Sequence, residues 1–177
     1  NMLVCGEDLG MIPDSVPDVM NKLQILSLEI ERMPKSPQSE FTDMHNLPYH
    51  SVCTTSTHDM SPLRNWWKED REKIQRYYNN VLHYEGQAPE ECSSEIASRI
   101  VENHLATNSM LTIIPLQDWF AIDDTVKRKD IESERINVPA NSNHYWRYRI
   151  HIPLEKLIEA DSLNNKIAEL IRKSERR

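Results

Sequence analysis

Glycine is scarce: Gly6, Gly10 and Gly86 are the three in 177 residues. Gly-rich phosphate-cradling loops are thereby excluded, and neither GxGxxG nor GxxxxGK(S/T) occurs. Cysteine is as scarce. Cys5, Cys53 and Cys92 are odd in number and lack CxxC spacing, so no disulfide framework is expected and a reducing cytosol is the default compartment. No apolar run approaches the roughly 18 residues of a membrane helix, and mean hydropathy is -0.66. Basic residues are outnumbered, 21 Lys and Arg against 28 Asp and Glu, giving a net charge of -7. Phosphate binding needs clustered cations, so nucleic acid and anionic membrane are not expected partners, whereas a neutral substrate is compatible. Asn1-Met2-Leu3-Val4-Cys5 has no basic flank and runs into Gly-Glu-Asp, so it is no signal peptide. It reads as a strand entered in mid-flow.

What is present alternates between two periods. Met2 to Cys5 is a short apolar run ending at Gly6, a buried strand by pattern. Val16, Val19, Met20 and Leu23 recur at helical spacing, with Asp14 or Ser15 as cap and Pro17 in the first turn. A second strand is expected from Gln24 to Ile30, a third over His50 to Thr57 and a fourth over Met110 to Leu116. Between the second and third lies a Pro- and Ser-rich loop, Met33 to Pro48, of a length that is usually functional. Pro62 opens a helical segment that Gly86 stops, and Ser93 or Ser94 caps another that reaches Leu105. Asp123 to Arg135 reads as a charged, exposed segment. A last helix carries Leu154 to Ile171, broken near Ser162. This order predicts one α/β domain over residues 1–177, with about four parallel strands joined by helical crossovers.

Polar residues gather just past three strand ends: Glu7-Asp8, His58-Asp59 and Gln117-Asp118. The second strand carries Glu29 and Glu31 near its end. Parallel α/β folds place their sites at that edge. Glycosyl transfer with retention needs two carboxyl groups, one nucleophilic and one acting as acid and then base. The acid needs an apolar or crowded setting to hold its proton near neutral pH. Glu7, directly after an apolar strand, suits that role; Asp59 suits an ionised partner that stabilises an oxocarbenium-like state. Plainer readings compete: a Glu after a strand is often a cap, His-Asp is often a hydrogen-bonded turn, and Trp66 and Trp67 at helical spacing are core. Tyr145, Trp146 and Tyr148, in a Pro/Asn-containing loop, are as fit for stacking on sugar as for packing. His45, His50, Cys53, His58 and Asp59 match no familiar zinc spacing, so no metal is expected.

Four motifs in order add to this. Gly6-Glu7-Asp8-Leu9-Gly10 resembles the G/A-E-D-L-G that ends the fifth barrel strand of family 77 4-α-glucanotransferases, the amylomaltases and disproportionating enzymes. Thr57-His58-Asp59 resembles the T-H-D after their seventh strand, and Gln117-Asp118 the Q-D after their eighth. Asn137-Val138-Pro139 with Trp146-Arg147-Tyr148-Arg149 resembles their N-x-P…W-x-W/Y-R loop. The resemblance covers nearly the whole chain and is closest to the plant cytosolic branch and its bacterial relatives. It implies the C-terminal half of a (β/α)8 barrel and a retaining double displacement on α-1,4-glucans. By motif, Glu7 becomes the general acid/base and Asp59 the transition-state stabiliser. His58, Asp8, Gln117, Asp118, Asn137 and Trp146 become substrate-binding residues. No cofactor is implied; the implied partners are maltose, maltooligosaccharides and branched glucan, in the cytoplasm.

The family's nucleophile lies in an R-x-D-H stretch upstream of G-E-D-L-G. The near match here, Arg128-Lys129-Asp130-Ile131, follows the eighth strand and lacks the His. The nucleophile is therefore expected upstream of Asn1, and the chain alone is expected to be inactive. Apolar edges at Met2–Cys5 and Met110–Leu116 would favour self-association, most simply as a dimer. Two rivals remain: a retaining α-glycoside hydrolase on the same barrel, and a non-catalytic carbohydrate-binding or interaction domain.

Overall fold

The computed structural model describes residues 2–176. Its centre is a parallel sheet of β1 (Ser27–Ile30), β2 (Ser51–Thr54) and β3 (Leu111–Thr112), hydrogen-bonded in that order. Ser27 lies opposite Ser51, and Val52 opposite Leu111. The strands therefore follow chain order across the sheet, with no reversal. Their buried residues explain the pairing: Leu26, Ile30, Val52 and Cys53 are all enclosed, as the apolar runs require.

The expected first strand contributes a single parallel bridge, Cys5 to Leu26. Gly6 N–H donates to the Leu26 carbonyl at 2.8 Å, and Leu26 N–H to that of Val4 at 2.8 Å. The next donor a parallel ladder would use, Leu28 N–H, goes to the Asp8 carboxylate at 2.9 Å. A side chain thus replaces the strand's next rung, and the segment peels away. The fourth strand is also shorter than expected. Pro115 has no N–H to give the ladder and opens α5 (Leu116–Ala121), so Gln117 and Asp118 sit in a helix rather than in a loop beyond a strand.

The crossover from β1 to β2 carries one 3-10 turn, Met44–Asn46, in place of a helix. Elsewhere helices do the connecting. α1 (Val16–Leu23) has proline in its first turn, but Ser15 makes no side-chain cap bond. The single segment expected from Pro62 to Gly86 is two helices, α2 (Leu63–Glu69) and α3 (Arg71–Asn80). Asp70 breaks them: its backbone is extended, and its carboxylate accepts from Glu72 N–H and Lys73 N–H, capping α3. α3 stops before Gly86 because Asn79 and Gln75 donate to the Tyr84 and Gly86 carbonyls and stitch a turn. α4 (Ser94–Leu105) begins at Ser93, whose hydroxyl accepts from Ile96 N–H, as its sequence predicts. α6 (Leu154–Ile158) and α7 (Asp161–Lys173) meet at Ala160, close to the expected break.

One core joins α2, α3, α4, α5 and α7. Trp67, Tyr77, Ile100 and Ile122 are fully enclosed, and Trp66, Trp67 and Tyr77 meet edge-on. Trp67 also donates its indole N–H to the Pro89 carbonyl. The tryptophans are core, as their helical spacing indicates. The Asp123–Arg135 segment is only in part the exposed stretch expected from its charge. Asp123 and Glu134 are buried, and Val126 joins the core. Arg64 of α2 reaches this segment, donating to the Arg128 carbonyl and pairing with Glu134 at 2.6 Å. Charge there is divided: Asp123 and Glu134 are wired into the interior, while Asp124, Lys129, Asp130 and Glu132 stay exposed. No helix among the described residues is long and apolar enough to cross a membrane.

Candidate active site

Because the strands are parallel, Glu7, His58 and Asp59, which follow the bridge at Cys5 and the end of β2, lie toward one edge of the sheet. Beyond β2 the chain forms a loop, residues 55–62, before α2 begins at Leu63. At its tip the imidazole of His58 and the carboxylate of Asp59 are half exposed, 50% and 49%, and approach to 3.4 Å. Asn137 donates to the other Asp59 oxygen at 2.6 Å, and its own carbonyl oxygen accepts from Val138 N–H. Trp146 stands 5.1 Å from the His58 ring and is 59% exposed. His58, Asp59, Asn137 and Trp146 thus converge from two stretches 78 residues apart, measured between Asp59 and Asn137. The grouping presents a carboxylate, an imidazole, an amide and an aromatic face to solvent, chemistry that can hold a sugar ring. Tyr145, also exposed, carries the Arg147 guanidinium over its ring at 4.8 Å.

The tip is held from below by Asp118. This carboxylate is 0% exposed and accepts from Thr55 Oγ1 at 2.6 Å, Ser56 Oγ at 2.9 Å and Leu63 N–H at 2.8 Å. It grips both ends of the loop at once. Burial raises its pKa, while the hydrogen bonds from Thr55 and Leu63 and the nearby Arg32 charge oppose that rise. With no exposed face, Asp118 has no route to the sugar contact expected of it; enclosure makes it a brace. Gln117 is also buried, and its amide donates to the Glu134 carbonyl at 3.2 Å. Its side chain lines a small cavity of about 160 Å3 behind His58.

Arg32, two residues past the end of β1, grips the same loop from another side. It is 7% exposed, donates through Nη2 to the Ser61 carbonyl and lies 5.1 Å over the Trp66 ring. Its Nε and Nη1 are enclosed without a partner. Burial lowers its pKa to about 10, against the attraction of Asp118 and Glu69. Its neighbour Glu31 accepts from Tyr77 Oη at 2.5 Å, and burial raises Glu31 to about 7. Glu134 is likewise raised to about 7 by burial, despite Arg64.

Glu7 and Asp8 behave oppositely. Glu7 is exposed, so the apolar or crowded setting expected for an acid is not supplied by these residues. Asp8 is buried; besides Leu28 N–H it pairs with Lys35 at 2.7 Å, and Lys35 pairs with Glu29 at 2.7 Å. That triad borders a cleft of about 990 Å3 between α1, β1 and the residue 34–50 loop. Neither this cleft nor the cavity behind His58 is lined by Glu7 or Asp59. Among the described residues no three His, Cys, Asp or Glu side chains gather as a metal site. All three cysteines are unpaired, Cys53 and Cys92 being buried.

The sequence pointed to His58, Asp59, Asn137 and Trp146. It did not single out Arg32, Lys35 or Arg64. Arg32 had one usable signal, its place immediately after Glu31 at a strand end, where a charged pair must be either exposed or built in.

A family model described as 4-alpha-glucanotransferase matches residues 1–155. The chain is 41% identical over 176 residues to the 4-alpha-glucanotransferase DPE2 of Oryza sativa subsp. japonica, a match covering 99% of this chain and 19% of that protein. It is 28% identical over 176 residues to the 4-alpha-glucanotransferase of Chlamydia caviae, covering 97% of this chain and 32% of that one. Among solved structures, the amylomaltase from Streptococcus agalactiae in complex with acarbose aligns with a TM-score of 0.72 at 18% identity, over 96% of this chain and 31% of that one. The amylomaltase from Corynebacterium glutamicum gives 0.69 at 17% identity, over 96% and 28%. The chain spans about a third or less of the length of these relatives.

Proposed function

Because the chain belongs to the 4-alpha-glucanotransferase family, glycoside hydrolase family 77, we propose that it supplies the acid/base and a sugar-holding carboxylate to α-1,4-glucan transfer. The observation that carries this reading is the convergence of His58, Asp59, Asn137 and Trp146 at one edge of a parallel sheet. The sheet is read as part of a (β/α)8 barrel, strands five to eight, which its unreversed strand order supports.

In this reading Glu7 protonates the glycosidic oxygen, which departs as the hydroxyl of the leaving sugar while the glucosyl group passes to the nucleophile; Glu7 then removes the proton from the acceptor's 4-hydroxyl. The nucleophile that holds the glucosyl group in between comes from sequence outside these residues. Asp59, oriented by Asn137, faces the positive charge that develops on the sugar ring, while His58 donates to a sugar hydroxyl and Trp146 packs on an apolar ring face. Maltose and maltooligosaccharides as donors and branched glucan as acceptor, all neutral and rich in hydroxyls, suit a surface of carboxylate, imidazole, amide and aromatic groups. The acarbose bound by the Streptococcus agalactiae protein is a ligand of that class.

Maltotriose tests this. The full-length protein containing this sequence yields glucose together with maltooligosaccharides longer than maltotriose. Release of glucose and maltose with no longer product would favour the hydrolase; binding without turnover would favour a carbohydrate-binding domain.

A further inference from the structure

We infer that Arg32 is a positioning residue for Asp59, acting through the Ser61 carbonyl; the inference rests on the glucan-transfer reading of the site. Three observations carry it. Ser61 lies two residues past Asp59, so the bond from Arg32 Nη2 fixes the backbone on the side of the tip that leads into α2. Asp118 already holds the two ends of the loop at Thr55, Ser56 and Leu63, and Arg32 fixes the interval between them. With both grips in place the peptide around Asp59 is fixed on each side, while its side chain stays open to solvent.

The third observation concerns what Arg32 gives up. Its side chain is enclosed, and Nε and Nη1 find no acceptor. An enclosed guanidinium with unpartnered donors is a poor stabiliser; an unbranched apolar side chain of similar length would fill the space against Trp66 without that penalty. What an apolar residue cannot do is donate to Ser61. The geometry therefore favours loop placement over stability as the role of the charge. Lysine is an incomplete substitute, because its ammonium can reach one carbonyl but lacks the planar fork that stacks on Trp66 while donating sideways.

The test uses the full-length protein, as wild type, Arg32→Met and Arg32→Lys. Three quantities are read: maltotriose kinetics, thermal midpoint, and hydrogen–deuterium exchange of the peptide covering residues 55–63. Arg32→Met is expected to keep or raise the midpoint, to speed exchange at residues 57–61 at least tenfold and to leave exchange in α4 unchanged. Its kcat should fall at least tenfold with KM within threefold, because Asp59 acts on the transition state rather than on ground-state binding. Arg32→Lys should fall between the two. A lowered midpoint with kcat within twofold of wild type would overturn the inference and leave Arg32 merely structural. So would unchanged exchange at residues 57–61. A wild type without transfer activity would instead overturn the glucan-transfer reading, and the comparison with active wild type keeps the two failures apart.

Discussion

Behind the sheet, between α2, α5 and the 123–135 segment, most polar groups are enclosed and supplied with partners, although Asn65 Oδ1, Glu134 Oε2 and Arg135 Nε find none among the described residues. Asp118 holds two hydroxyls and an amide, Arg64 pairs with Glu134, and Asp123 takes Thr125, Ser162 and Lys166. At the strand-end surface the carboxylates and aromatics stand open: Glu7 and Trp146 are exposed, and Asp59 is half exposed while held by Asn137 and His58. The same residue type, Asp after a strand, thus serves two ends. Where enclosed, its removal costs stability; where exposed, its removal should cost only chemistry. Arg32 is the intermediate case, enclosed like the first group and only partly satisfied.

That contrast can be broken or sharpened by substitution in the chain. Trp67→Ala empties the centre of the helical core and leaves the Pro89 carbonyl with Arg71 as its donor, and should lower unfolding free energy by about 4 kcal/mol. A loss under about 1 kcal/mol in urea unfolding would mean that the aromatic cluster is not the core's keystone. Asp118→Ala strands Thr55, Ser56 and the Leu63 amide in an enclosed space, and should cost about 3 kcal/mol.

His104 sharpens the picture with pH. It is buried in α4, its Nδ1 lies 2.8 Å from the Ile100 carbonyl, its Nε2 has no partner, and burial lowers its pKa to about 4. The unfolded chain takes up that proton near pH 6.5 and the folded chain only near 4. His104 therefore costs stability progressively as pH falls from about 6.5 towards 4, and costs nothing above. His104→Leu should remove that part of the pH dependence; an unchanged slope of melting temperature over this window would contradict it. The smallest effect is expected at the surface: Glu7→Gln and Asp59→Asn should shift unfolding by no more than about 0.5 kcal/mol.

Much of this arrangement was legible in the sequence, for identifiable reasons. The sheet edge where polar pairs gather was visible, and the tip residues His58 and Asp59 followed, although β2 stops at Thr54 and β3 at Thr112, short of the expected Thr57 and Leu116. Ser93 announced the start of α4, and the spacing of Trp66 and Trp67 announced their burial. What was not legible depended on three-dimensional accounting. Nothing local distinguishes Asp118, which is swallowed, from Asp59, which is not; that is decided by hydroxyls 62 and 63 residues away. The Asp70 break was hidden because its flanks share one apolar period. The charges of residues 123–135 read as solvated because their partners, Arg64 and Lys166, lie on other helices. The strand at Met2–Cys5 was overestimated because Asp8 takes the amide that would have continued its ladder.

The central claim is that exposed carboxylates at the strand ends do glycosyl chemistry while enclosed ones hold them there. It is tested most directly by maltotriose disproportionation in the full-length protein carrying Glu7→Gln. Loss of the acid/base should depress kcat by roughly a hundred- to ten-thousand-fold, with the melting temperature unchanged. Near-normal turnover would contradict the account and leave Glu7 a surface residue.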